Sequence, residues 1–371
     1  MAQHGVRKEK SSEQKELEER QLDAQRIAKL SGLMARVDAL KAADAFTRAD
    51  LALCTDVLEL CGEYYTVWNL RKRVLLALFS DGTSSSAAPV APDAAPDAAA
   101  AAGGGGATND SSVPPGTAVG APSGADVFAS ELKFGKHAIA RSPKSYWCWA
   151  HRKWLFDVGL ARVSPPVVPD WETELKLCAQ LLDLDQRNFH CWSYRRFVVA
   201  RRGGEHGATE LQFTRQKIDQ NFSNYSAWHQ RSLLLTQMHT PGAALTAALA
   251  SEFALIQQAY YTEPDDQSAW VYHRWLVCKT LETETRDVIC ATLRSELANC
   301  NELLAVEPTS KWALLTSVFL TRQLLAQRES GVAEHERAAL VSTALSRLDL
   351  LQRVDAMRVL FYAQEKQHFE L

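Results

Sequence analysis

The 371-residue sequence lacks the features that define several common classes of protein. No apolar run approaches the roughly 20 residues that a membrane-spanning helix needs. Its first 20 residues are charged and have no apolar core of a secretory signal, so we expect a cytoplasmic protein without a membrane span. Alternating apolar and polar runs bounded by Asn-Gly or Asp-Gly turns are absent as well, which argues against β-strands.

The sequence also lacks a charge excess and a recognisable catalytic or metal-binding motif. Its 41 Lys and Arg residues are balanced by 44 Asp and Glu residues, so we expect no nucleic-acid partner. The eight Cys residues include no C-x-x-C pair, which favours free thiols in a reducing compartment over a zinc site or disulfides. Gly-rich phosphate loops and nucleophile elbows are missing too, so a self-sufficient catalyst is not expected. We predict that this chain alone binds no metal or cofactor.

What the sequence does contain is a repeated motif built around Trp. Its copies are NFHCWSYRRFVV (188–199), YYTVWNLRKRVL (64–75), SYWCWAHRKWLF (145–156), NYSAWHQRSLLL (224–235), DQSAWVYHRWLV (266–277) and TSKWALLTSVFL (309–320). From Trp149 onward the anchoring Trp residues are 43, 36, 42 and 42 residues apart, a period typical of stacked helical hairpins. The sequence therefore predicts an all-α fold, a crescent-shaped right-handed superhelix of hairpin repeats similar to tetratricopeptide repeats.

Each predicted hairpin has a recognisable first and second helix. The second helix carries the motif and follows a residue whose short polar side chain suits a helix start, namely Ser145, Asn188, Asn224 or Asp266. The first helix shows a period of 3.6, which puts Leu175, Cys178 and Leu182 on one face in one unit and Phe253, Ile256 and Tyr260 in another. A single pair cannot bury these faces, so it must pack on its neighbours.

Composition divides the chain into four regions. Residues 1–30 are a charged N-terminal arm, for which we expect mobility or a solvated helix, and residues 31–79 form a first helical repeat region. Residues 80–125 are an Ala/Gly/Pro/Ser insertion with almost no bulky apolar residue, which predicts disorder. Residues 126–371 hold the remaining helical repeats.

A Trp and a cation recur three residues apart, on one face of each second helix. The pairs are Trp68 with Arg71, Trp149 with Arg152, Trp192 with Arg195, Trp228 with Arg231, and Trp270 with His273, which Arg274 follows; Trp312 marks the sixth copy. A feature present in every unit usually maintains stacking. We therefore interpret Trp as a core residue between helix pairs and Arg as the partner of a carboxylate or of carbonyls in the next unit.

Residues that vary just before the Trp are better candidates for function. The second and third units have Lys144 and Tyr146, and Asn188, Phe189 and His190, where second helices begin. Helix N-termini offer unpaired N–H groups and positive potential, which suit an anion such as a diphosphate. The alternatives are ordinary: a solvated surface Lys, a helix cap at Asn188 and a packed aromatic at Phe189.

These repeats resemble the α subunits of protein prenyltransferases, whose mark is serial P-K-N-Y-x-x-W-x-x-R and D-x-x-N-Y-x-x-W motifs. PKSYWCWAHRKWLF, RNFHCWSYRRFVV, NFSNYSAWHQRSLLL and DDQSAWVYHRWLV are similar to four successive members. The start HGVRKEKSSEQKE, the stretch RNFHCW and the tail ELANCNELLAVEPTSKWALLT resemble the Rab geranylgeranyltransferase (type II) kind. The immunoglobulin-like insert and leucine-rich-repeat domain of the mammalian Rab type have no counterpart, since units five and six join directly through residues 278–295.

The resemblance implies half of a heterodimeric enzyme, inactive without a β subunit that holds zinc and the lipid pocket. The enzyme transfers geranylgeranyl groups from geranylgeranyl diphosphate to C-terminal cysteines of Rab GTPases presented by an escort protein. In this family Lys144 corresponds to the lysine that reaches the diphosphate, and Tyr146, Asn188, Phe189 and His190 correspond to residues at the mouth of the active site. His4, on the charged arm, is a speculative ligand for the partner's zinc.

Two other functions compete with this one. One is an α subunit of farnesyltransferase or of type I geranylgeranyltransferase, which the tail and Phe189 disfavour, since the farnesyl type has Tyr there. The other is a non-enzymatic scaffold of tetratricopeptide type. The fixed Trp-x-x-Arg pattern differs from the small-residue pattern of those repeats.

Overall fold

A computed structural model describes residues 12–43, 45–80, 122–327 and 334–370. Within these ranges the regular structure is entirely helical, which confirms the predicted all-α class. The helices are α1 Ser12–Lys41, α2 Arg48–Leu60, α3 Tyr65–Ser80, α4 Gly124–Arg141, α5 Tyr146–Trp154, α6 Trp171–Leu184, α7 Phe189–Arg202, α8 Gly207–Gln220, α9 Tyr225–Met238, α10 Ala243–Thr262, α11 Gln267–Thr283, α12 Arg286–Val306, α13 Lys311–Ala326, α14 Glu334–Val354 and α15 Val359–Glu370. A π-helical turn, Leu155–Gly159, and a 3₁₀ turn, Leu160–Arg162, extend α5, and a 3₁₀ turn, Ala356–Arg358, precedes α15.

Two predicted features fall largely outside the described residues. His4 lies there, and so do residues 81–121, most of the predicted insertion. The described part of the charged arm is helical in α1, whose side chains are exposed from residue 19 to residue 29. Further along, Leu33, Val37 and Leu40 are buried, so α1 contributes to the core only through its C-terminal third.

The chain forms two compact units, one ending at Glu174 and the other beginning at Leu175. In the first unit, α2 packs against α3, α3 against α4, and α4 against α5. In the second unit the successive pairs α8–α9, α10–α11, α12–α13 and α14–α15 form hairpins. Hairpin repeats are therefore the architecture of both units, as the period of the Trp motif predicts.

Second helices begin where the sequence predicts. Ser145, Asn188, Asn224 and Asp266 are the N-caps of α5, α7, α9 and α11. The Oδ1 atoms of Asn188 and Asn224 accept the N–H of Cys191 at 3.1 Å and of Ala227 at 3.2 Å, which satisfies a donor that the helix leaves unpaired. The two predicted first-helix faces are also buried, from Leu175 to Leu182 and from Phe253 to Tyr260.

The repeated Trp closes the turn that precedes each second helix. In five units its ring is buried and its Nε1–H donates to the backbone carbonyl six residues earlier, at 2.8–2.9 Å. The pairs are Trp68 with Gly62, Trp149 with Pro143, Trp192 with Gln186, Trp228 with Phe222, and Trp270 with Pro264. Burial of the ring thus fixes the helix and its preceding turn together.

The Arg or His three residues after each Trp is buried and bound to a carboxylate of a following helix. The pairs are Arg71–Glu131, Arg152–Glu174, Arg195–Glu210, Arg231–Glu252 and His273–Glu296. Each Arg donates Nε–H and Nη2–H to the two carboxylate oxygens at 2.6–2.8 Å. Each also donates Nη1–H to the carbonyl of a Leu 20 residues earlier, at 2.8–3.3 Å. One guanidinium therefore joins three helices.

The sixth copy of the motif departs from this pattern. The N-cap of α13 is Ser310, so Leu314, and not Trp312, stands four residues after the cap, where the other units have Trp. Leu314 is buried in a cluster with Val318 and Leu348, whereas Trp312 is half-exposed beside Lys311 and Arg358. Assigning Trp312 to the structural repeat is wrong by two residues, because the cap and not the Trp sets the register.

Glu131 differs from the other carboxylates of the series in binding both an Arg and a His. Arg71 binds both of its oxygens, and His151 Nε2 lies 2.7 Å from Oε1. Burial alone would raise the pKa of Glu131, but the Arg71 charge and the His151 hydrogen bond hold it at about 2, below its usual 4.5. Burial lowers the pKa of His151 below its usual 6.5, and the bond to Glu131 offsets this only in part. A neutral His151 that donates Nε2–H to an ionised Glu131 satisfies both directions.

We expect removal of a buried carboxylate to cost far more than removal of an exposed one on the same helix. Glu210→Ala leaves the buried Arg195 without a counter-charge, so the free energy of unfolding should fall by about 3–5 kcal/mol. Asp219→Ala removes the partner of Arg215 from an ion pair whose side chains are 50% and 43% exposed, so the loss should stay below about 1 kcal/mol. Urea unfolding followed by Trp fluorescence measures both, and equal losses would contradict the role given to the buried pair.

The His151–Glu131 contact also predicts how stability depends on pH. Since both pKa values are depressed on folding, the unfolded chain takes up protons first, and stability falls as pH drops below 6.5 for His151 and below 4.5 for Glu131. The His151 contribution has a slope of at most about 1.4 kcal/mol per pH unit.

His151→Gln keeps a donor to Glu131 but cannot titrate, so the stability lost between about pH 7 and pH 5 should be smaller than in the parent protein. Urea midpoints measured across that range test this, and His137→Gln, at an exposed position of α4, is the control. A His151→Gln profile that superimposes on the parent profile would rule out a neutral buried His151.

Candidate functional site

The turns before the second helices have a fixed backbone and one variable, solvent-facing position. This position directly follows the carbonyl that the Trp binds and directly precedes the N-cap. It is Glu63, Lys144, Arg187, Ser223 and Asp265 in units one to five. All are exposed except Ser223, which is half-buried. Only units two and three therefore present a cation at this point.

Lys144 lies in the turn before α5, in repeat unit two, which is part of the first compact unit. The Ser145 N–H donates to the Ser142 carbonyl at 3.0 Å, and Trp149 Nε1–H donates to the Pro143 carbonyl at 2.8 Å. The backbone is thus held on both sides of Lys144, while its side chain is exposed. Lys144 directly precedes the N-cap of α5, and the partial positive charge of this helix N-terminus adds to the field that an anion would meet.

Tyr146, the first residue of α5, is also a surface residue, with 65% of its area exposed. The Trp147 ring, beside it, packs on Tyr65 at the start of α3 with centroids 5.5 Å apart. The start of α5 therefore combines a cation with exposed aromatic rings. Sequence reasoning missed Tyr65 and Trp147, although an aromatic residue three positions before the Trp in several units is a signal that could have found Tyr65.

Three further predicted site residues lie at the start of α7, in repeat unit three, which is part of the second compact unit. Asn188 is buried and caps the helix through Oδ1, which gives it a structural role. Phe189 is 58% exposed and so is not a core residue, and its ring centroid lies 3.9 Å from that of His190. His190 is buried beneath it. The structure thus groups Lys144 with Tyr146 at one helix start, and these three residues at another.

The described residues contain no group of three His, Cys, Asp or Glu side chains that could hold a metal ion. All eight cysteines are free thiols, as expected. Burial raises the pKa of Cys54 to about 11 and that of Cys300 to about 12, so both remain protonated and unreactive near neutral pH. None of the helices described is long and apolar enough to cross a membrane.

Comparison with known proteins connects this geometry to a family. The model of the protein prenyltransferase alpha subunit repeat matches residues 47–78, 128–158, 171–202, 208–238 and 249–280. The chain is 32% identical to the geranylgeranyl transferase type-2 subunit alpha of Dictyostelium discoideum over 323 residues, which cover 85% of this chain and 88% of that protein. The chain belongs to the protein prenyltransferase α-subunit family. Each matched repeat contains one buried Trp–cation pair, and the sixth, shifted copy is not among them.

Other members of the family have additional length. The rat geranylgeranyl transferase type-2 subunit alpha is 32% identical over 323 residues, covering 85% of this chain but 48% of the rat protein. The chain thus spans about half the length of this mammalian relative. A solved structure described as Candida albicans protein geranylgeranyltransferase-I complexed with GGPP matches 92% of this chain and 91% of its own, with a TM-score of 0.64 and 16% identity. That likeness shows a shared fold.

Proposed function

We propose that this chain is the α subunit of a heterodimeric geranylgeranyltransferase type II, and that its β subunit holds the zinc and the lipid pocket. The enzyme transfers geranylgeranyl groups from geranylgeranyl diphosphate to C-terminal cysteines of Rab GTPases that an escort protein presents. The observation that carries this proposal is the 32% sequence identity to a type-2 subunit alpha, over 88% of that relative's length.

In this reaction the substrate thiolate attacks C1 of the lipid, and diphosphate leaves. Negative charge grows on the leaving oxygen as the C–O bond breaks, so a preplaced cation lowers the barrier. Lys144 fits this role because its backbone is anchored on both sides and its side chain is exposed at a helix N-terminus. The two cationic turns also distinguish units two and three from units one and five, where the same position is acidic.

The other candidates take supporting roles in this proposal. Tyr146 and Phe189 are exposed aromatic residues that would line the mouth of the active site and contact the peptide. His190 supports the Phe189 ring from below, and Asn188 fixes the helix start through its cap. Neither role requires acid–base chemistry. Phe189 also lacks the hydroxyl with which a Tyr could bind a CaaX peptide, in keeping with recognition through an escort protein.

Co-expression with candidate β subunits tests the proposal as a whole. We expect geranylgeranyl transfer to a Rab GTPase only from the pair, and only with escort protein present, because in this proposal the β subunit supplies the lipid pocket and the metal. Transfer is measured with labelled geranylgeranyl diphosphate, and each subunit alone is the control. Transfer to CaaX peptides without escort protein would instead assign the chain to the farnesyl or type I enzymes, and peptide binding without any transfer would favour the scaffold.

Replacement of Lys144 tests its chemical role. Lys144→Ala should lower turnover of the heterodimer by about 30- to 1000-fold, the equivalent of about 2–4 kcal/mol, because the lost contact acts mainly in the transition state. Affinity for geranylgeranyl diphosphate should change much less, and Lys144→Arg should restore part of the rate. Lys136→Ala, at an exposed position of α4, is the matched control. Normal turnover by an intact Lys144→Ala heterodimer would show that Lys144 has no role in diphosphate departure.

A further inference from the structure

Second helices carry a further cation next to the buried one. Four residues after the Trp stand Lys72, Lys153, Arg196 and Arg274, in units one, two, three and five. The buried Arg or His one position earlier always binds a Glu, so the fold gives each of its deepest cations a counter-charge. Lys72 and Arg196 differ from those buried residues because no described carboxylate pairs with them.

Lys72 is half-buried on α3 and faces the neighbouring second helix, α5. Its Nζ lies 5.6 Å from the centroid of the Trp154 ring. The charged and titratable neighbours with which it interacts include His151, which is buried and whose Glu131 partner already binds Arg71. Burial lowers the pKa of Lys72, and no described carboxylate forms an ion pair with it. Its ammonium group is therefore partly desolvated without a counter-charge.

Arg196, on α7 in repeat unit three, is also a partly buried cation. It is half-buried, and its Nη1–H donates to the side-chain oxygen of Gln230 on the adjacent α9 at 3.1 Å. Burial lowers the pKa of Arg196, and in the described part of the chain no carboxylate pairs with it. A neutral amide satisfies one of five donors and none of the charge.

Lys153 and Arg274, the corresponding residues of repeat units two and five, interact with other groups of the chain. Arg274 lies 3.7 Å over the Phe319 ring and interacts with Glu365. Lys153 takes part in further interactions of its own. Lys72 and Arg196 are thus distinct in that no described carboxylate pairs with them, and the Trp154 ring and the Gln230 amide offset the cost of their desolvation only in part.

Second helices pack against one another within each compact unit. In the second compact unit α7 contacts α9, α9 contacts α11, and α11 contacts α13. In the first compact unit α3 contacts α5. The Trp154 ring lies beside Lys72, and the half-buried Phe197 follows Arg196 in the sequence. A surface of aromatic rings and half-desolvated cations has the composition of a protein interface whose partner is acidic.

We propose that Lys72 and Arg196 each form an ion pair with a carboxylate of the β subunit, and that these pairs form only in the heterodimer. The inference rests on the proposed function, since it names the chemistry of that enzyme's subunit interface. Each cation is already half-desolvated in the free chain, so a carboxylate from the partner gains Coulomb energy without removing the full hydration shell of the cation. The paired surface of β is therefore acidic at two points.

Methionine replacements separate this role from a structural one. Lys72→Met and Arg196→Met keep most of the side-chain bulk and remove the charge, so each should weaken the heterodimer by about tenfold or more, because a partner carboxylate is left buried and unpaired. Lys136→Met on α4 and Arg215→Met on α8 remove exposed first-helix charges and should change the dissociation constant by less than about twofold. Biolayer interferometry with immobilised β subunit measures all four.

The isolated chain provides the readout that a structural role would not reproduce. Losing an uncompensated, half-buried charge should leave the melting temperature of the free α subunit unchanged or raise it, while the same variant weakens the heterodimer. A lowered melting temperature with unchanged affinity for β would overturn the proposal. So would a loss of self-association of the free chain in sedimentation, because the occupant of the surface would then be a second copy.

Failure of the inference and failure of the proposed function give different results. If the wild-type pair forms and transfers geranylgeranyl groups but both methionine variants bind β as tightly as the parent, the inference is wrong and the function stands. If no β subunit binds the wild-type chain, the function itself fails. A charge swap, Lys72→Glu with a partner carboxylate changed to Lys, should restore affinity that Lys72→Glu alone abolishes.

Discussion

The buried ion pair between one hairpin and the next is the interaction on which the rest of the structure depends. In four units an Arg, and in the fifth a His, at a fixed distance after the Trp binds a carboxylate of a following helix. Such a pair need not add net stability over an apolar contact, but it tolerates no displacement, since a shift leaves two buried charges unpaired. It therefore fixes the register between neighbouring helices more strictly than apolar packing alone would.

This register, together with the Trp bond to the preceding turn, leaves a few positions in every unit free to vary. The turn residue before the cap, the first helical residue and the residue four after the Trp all lie outside the buried network. Charge changes sign at the turn position, from Glu63 to Lys144 and Arg187 and then to Asp265. The residues shared by all repeats fix the backbone geometry, and the residues that differ between repeats are the candidates for function.

The same division explains which features the sequence could predict. Helix starts were predictable because the caps at Asn188 and Asn224 act through local geometry, within three residues. The carboxylate partners were not identified, because their separation from the cation varies from 15 residues for Arg195 and Glu210 to 60 for Arg71 and Glu131. Trp312 was misassigned for a related reason. An isolated Trp carries no register unless the cap before it is read with it.

The candidate site was predictable only to the level of residue type and helix terminus. The cap at Asn188 could be read from the motif, but the exposure that distinguishes Phe189 from a core residue could not. What remains is the contrast between three cations at different depths. Arg71 is buried and neutralised within the chain, Lys72 is half-buried, and Lys144 is exposed. Water screens an exposed side chain such as Lys144, so its field on an anion is weak until the site is enclosed. In the proposed heterodimer the β subunit would supply this enclosure, so the free subunit would be folded but inactive.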